Sequence, residues 1–64
     1  MNPDDRLEPL LHRRVEYVMV DEPDRVYTGT VERDSHGRPY IQDEFESYVV
    51  IYDTGVLKSV KERR

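Results

Sequence analysis

The stretch Arg25-Val26-Tyr27-Thr28-Gly29-Thr30-Val31-Glu32-Arg33, followed by Asp34-Ser35-His36-Gly37, decides how this chain is read. Val26, Thr28 and Thr30 alternate with Tyr27, Gly29 and Val31, the period of two that sends successive side chains to opposite faces of a strand. The composition, β-branched and aromatic, suits a pleated and half-buried surface. Gly29 near the middle predicts a bulge, a bend or the close approach of another backbone. Asp34 and Gly37 then supply the backbone angles that a hairpin turn requires. An antiparallel β protein is the expectation.

Outward from this strand the pattern continues. Arg14–Val20 is valine-rich, contains Tyr17, and ends at the turn signal Asp21-Glu22-Pro23-Asp24. Arg38–Gln42 resumes extended structure. Asp43-Glu44-Phe45-Glu46 reads as an acidic loop with Phe45 tucked in, or as a bulged continuation of the strand. Ser47–Tyr52 carries the strongest strand composition, Asp53-Thr54-Gly55 turns the chain, and Val56–Lys61 closes it. Five short strands at this spacing suit a small barrel or sandwich. The expected fold is mainly β: a small five-stranded antiparallel SH3-like barrel, or a strongly bent sheet, with a short N-terminal helix. Its expected core is Val15, Tyr17, Val18, Val26, Val31, Ile41, Phe45, Val49, Ile51, Leu57 and Val60. An open sheet burying its second face in a dimer is the alternative, because Arg14–Val20 leaves both faces partly apolar.

The first fourteen residues read differently. Leu7, Leu10 and Leu11 share one helical face, and Asn2 with Pro3, Asp4 and Asp5 resembles a helix start. Pro9 opposes a continuous helix, since it removes a hydrogen bond and clashes with the preceding turn. A short helix starting near Pro9, or two turns broken there, is expected. The 64 residues thus form one small domain: residues 1–14 a short helix or arm, 15–61 a β-meander, and 62–64 a basic tail.

So short a chain buries only about 60% of the surface its unfolded form exposes, so one core must hold it, aided at most by self-association. It has no cysteine, hence no disulfide, which fits a cytoplasmic protein. No apolar run of about 18 residues is present, so no membrane partner is expected, and no signal-peptide pattern opens the chain. The net charge of −4 is unevenly placed. Residues 15–57 hold ten acids against Arg25, Arg33 and Arg38, a balance of −7, whereas the segment from Lys58 has a balance of +3. Such a dipolar surface steers partners or self-association.

No enzyme is expected. Asp53-Thr54-Gly55 matches the short signature of aspartic proteases, in which two such loops share a proton. With nine residues after Gly55, a hairpin turn is the better reading. Asp43, Glu44 and Glu46 lack the ligand spacing and the glycine of a calcium loop, and His12 and His36 have no second ligand at metal spacing. No phosphate loop, dinucleotide fingerprint or nucleophile elbow occurs. Neither a metal nor a cofactor is expected.

The five tyrosines are more suggestive. If Val49 and Ile51 face the core, then Tyr48, Val50 and Tyr52 form an outer stripe with Tyr40 on the neighbouring strand. Exposed tyrosines bring large contact area at low entropic cost; the other reading is that they cover the second face of a two-sided sheet. Together with the acidic edge of Asp43, Glu44 and Glu46, the stripe suggests a surface for a basic protein partner. Lys58, Lys61, Arg63 and Arg64 are the candidate phosphate contacts, although nucleic-acid binding favours a basic face over a basic end.

The order of elements also resembles the Sm-like family, including its bacterial Hfq-type members. The resemblance spans roughly Leu7 to Val60 and rests on the leucine-bearing segment leading into Arg13-Arg14-Val15, on Tyr27-Thr28-Gly29-Thr30-Val31-Glu32, and on Ile51-Tyr52 followed by Val56. It implies a small barrel, ring assembly and single-stranded RNA binding. The Hfq-type tyrosine-lysine-histidine motif stands here as Tyr52-Asp53-Thr54, without either basic group. The leading expectation is therefore a non-enzymatic, acidic protein-binding module, a regulator or inhibitor. A ring-forming RNA binder and a structural homo-oligomer are the alternatives.

Overall fold

The computed structural model describes residues 6–63. Five strands, β1 (Arg14–Met19), β2 (Glu22–Arg33), β3 (Pro39–Asp43), β4 (Val50–Ile51) and β5 (Leu57–Glu62), make one sheet in the order β4-β3-β2-β1-β5. Every neighbouring pair is antiparallel. The mainly β expectation holds, but the sheet is open. The two edge strands β4 and β5 do not pair with each other, so no barrel closes. Ser47–Tyr52, read as the strongest strand, contributes only Val50–Ile51, too short an edge for β5 to close upon.

The deciding stretch organises the sheet. β2 pairs with β1 through Thr30 and with β3 from Gly29 to Arg33. Gly29 therefore lies between two strands, opposite Val15 on one side and Asp43 on the other. A β-carbon there would stand 2.5 Å from the Gln42 carbonyl oxygen and 2.7 Å from Ile41 Cγ2. Of the possibilities open to that glycine, close backbone approach is realised.

The turn after β2 forms as its residues require. The Asp34 carboxylate accepts the backbone N–H groups of His36 and Arg38 at 2.9 and 2.8 Å, while Gly37 adopts a φ of 85°. Of the expected turn Asp21-Glu22-Pro23-Asp24, Asp21 turns the chain together with Val20, while Glu22, Pro23 and Asp24 form the outer end of β2. There the β1 pairing jumps from Tyr17–Tyr27 to Met19–Glu22. Pro23 is tolerated because this end has no β3 partner to receive its missing N–H.

One face of the sheet carries the core: Leu7, Val15, Tyr17, Val31, Ile41 and Leu57, with Leu10, Leu11, Met19, Tyr27, Ile51 and Val60 packed against it. Val26 leaves the expected core because alternation along β2 sends it to the face opposite Tyr27 and Val31, where it is exposed. Phe45 leaves it as well, 83% exposed, for a reason found in Asp43 below. Val18 points to the opposite face from Val15 and Tyr17, as strand alternation dictates, and is half-buried, as is Val49.

Among the described residues no α-helix forms, and the stretch around Pro9 is a 3₁₀ turn, Glu8–Leu10. Pro9 sits inside it, and two residues after the turn His12 takes a left-handed φ of 64°, which no helix can continue through. The proposed capping residues Asn2 to Asp5 lie outside the described residues. The arm is nonetheless well anchored. Leu7 is fully buried, the His12 N–H donates to the Val31 carbonyl at 2.7 Å, and the Val31 N–H donates to the Arg13 carbonyl at 3.1 Å. No described helix is long and apolar enough to cross a membrane.

Candidate docking cleft

Among the described residues two carboxylates are buried, and neither stood out as a structural group in the sequence. Asp43, at the end of β3, is 7% exposed. One oxygen accepts the Tyr17 hydroxyl; the other accepts the backbone N–H groups of Phe45 and Glu46 at 3.0 and 2.9 Å. This local bonding turns the chain straight after β3 and leaves the Phe45 ring in solvent. Asp43 is thus a fixed structural group rather than part of an exposed acidic edge.

Asp53 is 2% exposed and held by Arg6, whose Nε and Nη2 donate to its two oxygens at 2.9 and 2.6 Å. Arg6 Nη2 also donates to the Leu57 carbonyl at 3.0 Å, so the arm is clamped to the start of β5. The Asp53-Thr54-Gly55 segment is the expected turn, with Gly55 at a φ of 93°. Its carboxylate is committed to a guanidinium. The Arg6 pKa is raised by that hydrogen bond.

The other residues singled out from sequence separate into different places. Tyr40 and Tyr52 meet, with ring centroids 5.7 Å apart, and the Tyr52 hydroxyl donates to Asp34 at 2.7 Å. Tyr48 lies in the turn before β4, 81% exposed. A single tyrosine stripe therefore does not form along a strand, because β4 is too short to carry it. Glu44 lies in a separate network, accepting from Thr28, from Arg14 at 2.8 Å and from Arg63 at 3.3 Å. Of the basic group, Lys61 stands 3.8 Å from Glu16 and Lys58 is exposed, while Arg64 lies outside the described residues.

What the fold does bring together is a cleft of about 350 Å³ between the β1–β2 hairpin and the loop after β3. Its aromatic lining is Tyr17, Tyr27 and Phe45; its acids are Asp21, Glu22, Asp43 and Glu46, against Arg25 alone among the basic residues. Tyr17 and Tyr27 stack, centroids 5.5 Å apart and planes within 22°. The Arg25 guanidinium lies over the Tyr27 ring, 5.1 Å from its centroid. The Tyr27 hydroxyl donates to Glu22 at 2.7 Å, which fixes that carboxylate beside the ring and raises the tyrosine pKa. Burial, then the hydrogen bond to Asp43, raises the Tyr17 pKa too.

Such a cleft offers two things to a cation: ring faces, whose quadrupole attracts positive charge, and carboxylates to neutralise it. Sequence reasoning singled out Asp43 and Glu46, with Glu44 beside the Tyr40, Tyr48 and Tyr52 stripe, but missed Tyr17, Tyr27, Phe45, Asp21 and Glu22 as site residues. The available signal was register: Tyr17 and Tyr27 are direct cross-strand partners, and a short β1–β2 connection puts Asp21 and Glu22 beside them. Among the described residues no group of three or more histidines and carboxylates is placed to hold a metal ion. Comparison with protein-family models, with curated proteins and with solved structures finds no match to this chain. The fold and the cleft together define a small open-sheet β domain with an acidic, aromatic-lined surface site.

The carboxylates also set an acid limit on stability. Burial alone would raise the Asp43 pKa, but the Tyr17 hydroxyl and the two backbone N–H groups outweigh it, and the net shift is downward. Asp34 is lowered first by the Tyr52 hydroxyl, and Glu44 first by Thr28. A carboxyl with a depressed folded-state pKa adds stability that is full above its unfolded value, about 4, and is lost as pH falls through the folded value. The urea midpoint is expected to be level between pH 6 and 7 and to fall steadily below about pH 4. The Tyr17→Phe variant should show less of that acid loss, because its Asp43 is no longer held so far down. Identical acid slopes in the two proteins would remove Asp43 from this account.

Proposed function

We propose that this chain is a non-enzymatic docking module that binds a basic surface on a protein partner through the acidic, aromatic cleft, as a regulator or inhibitor of that partner. The observation that carries the reading is the meeting of the Tyr27 and Phe45 rings with the exposed carboxylates of Asp21, Glu22 and Glu46 in one cleft. Aromatic anchors surrounded by charge of one sign suit recognition of the opposite sign, with attraction steering the encounter.

Phe45 and Glu46 supply the test, since both side chains are exposed and their replacement leaves the core untouched. A fluorescent peptide of alternating arginine and glycine is expected to bind at low salt and to weaken as salt rises. The Phe45→Ala, Glu46→Gln double variant should lose about tenfold in affinity, the loss of one modest hot spot. Tyr48→Ala should lose nothing. The reverse pattern, in a variant that melts at the normal temperature, would move the site to the tyrosine turn; no binding even at low salt would end the reading.

Single-stranded RNA binding has less support, because Lys61 and Arg63 already face Glu16 and Glu44. Assembly by edge pairing is also poorly served: β4 has two residues, and β5 carries Lys58 and Lys61 and bulges at Lys58. Short, charged and bulged edges discourage strand addition.

A further inference from the structure

Arg25 occupies the cleft with a group of the very chemistry the cleft attracts. Tyr17, Tyr27 and the Arg25 guanidinium form a layered arrangement: ring on ring at 5.5 Å, then a cation over Tyr27 at 5.1 Å. The lower layer is fixed, because Tyr17 is 2% exposed and its hydroxyl is held by buried Asp43. The middle layer is fixed by the Tyr27–Glu22 hydrogen bond. The top layer is different, for Arg25 is an exposed residue in the stretch of β2 where the β1 pairing jumps. Its guanidinium can leave the ring without disturbing the core.

Resting on the docking reading above, we infer that Arg25 is an internal placeholder and that the group which replaces it over Tyr27 is the guanidinium of an arginine side chain on the partner. Three features select arginine over lysine. A guanidinium is planar and stacks on a ring, as the resident one does; it is more weakly hydrated than an ammonium; and its fork can pair with a carboxylate while stacked. Glu22, held beside the ring by the Tyr27 hydroxyl, is the carboxylate positioned to accept that fork, and Asp21 and Glu46 add charge at the same cleft. Arg25 thus weakens every arginine ligand by competition and by its own charge. Only a partner presenting arginine with further contacts displaces it.

The test compares two capped pentapeptides, Gly-Arg-Gly-Arg-Gly and Gly-Lys-Gly-Lys-Gly, by NMR titration against three full-length proteins: the native chain, Arg25→Ala and Lys58→Ala. Lys58→Ala removes the same charge outside the cleft, so it measures the general electrostatic gain. Arg25→Ala is expected to tighten the arginine peptide about threefold or more, the scale of one cation–ring contact at an exposed site. The lysine peptide should gain no more than it gains from Lys58→Ala. Equal gains for both peptides, or no gain in Arg25→Ala, would overturn the placeholder while leaving the docking reading standing. If neither peptide binds any of the three proteins at low salt, the docking reading falls and the placeholder with it.

Discussion

Gly29→Ala is expected to destabilise the protein by about 3 kcal/mol, at the upper end of what overpacking a close contact costs. A 64-residue domain has roughly 3–10 kcal/mol to lose, so the variant should be largely unfolded or melt far below the native protein. The cause is the position of Gly29 between β1 and β3. A methyl group there would stand 2.5 Å from the Gln42 carbonyl oxygen, which belongs to a backbone pinned by the β2–β3 ladder, and 2.7 Å from Ile41, a fully buried core residue. Neither neighbour can withdraw without opening the ladder or moving the core. Gly37 and Gly55 provide the contrast, because a β-carbon at either meets nothing within 4 Å. Their alanine variants should lose only the strain of a left-handed backbone, about 1 kcal/mol. Urea denaturation followed by far-ultraviolet circular dichroism ranks the three. A Gly29→Ala midpoint equal to the native one would mean that β2 and β3 do not approach as described.

Leu7→Ala should cost about 2–5 kcal/mol, the range for emptying a fully buried leucine site. The residue belongs to the arm rather than to the sheet, yet it is completely buried and is part of the central cluster. Its neighbour Arg6 ties the same point of the arm to Asp53 and to the Leu57 carbonyl. The arm is therefore a lid on an open sheet, doing in part what barrel closure would have done. Leu10→Ala, at a partly buried position, should cost clearly less. Equal and small losses at both positions would mean that the arm contributes little to the core.

The parts of the fold that could be read from the chain are those fixed by local rules. The β2 alternation, the Asp34–Gly37 turn and the turn at Gly55 all depend on residues within a few positions of one another. The misreadings share a different cause, since each was settled by a partner far away in sequence. Phe45 reads as core by hydrophobicity, but Asp43, fixed by Tyr17 from 26 residues away, turns the chain so that the ring faces water. Asp53 reads as an ordinary turn residue because its partner Arg6 is 47 positions distant. The Tyr40, Tyr48 and Tyr52 stripe depended on a six-residue strand that the fold cuts to two. The candidate cleft was half legible: its loop acids were visible, but the tyrosine pair arises only once β1 and β2 are in register.

In the proposed function the cleft, and not the Tyr40–Tyr52 surface, meets a basic partner. Backbone amide shifts of the isotope-labelled protein, titrated at low salt with a peptide of alternating arginine and glycine, test it most directly. The expected result is saturable movement centred on Tyr17, Glu22, Tyr27, Phe45 and Glu46, removed by the Phe45→Ala, Glu46→Gln variant. Movement confined to Tyr40, Tyr48 and Tyr52, or no movement at any peptide concentration, would contradict it.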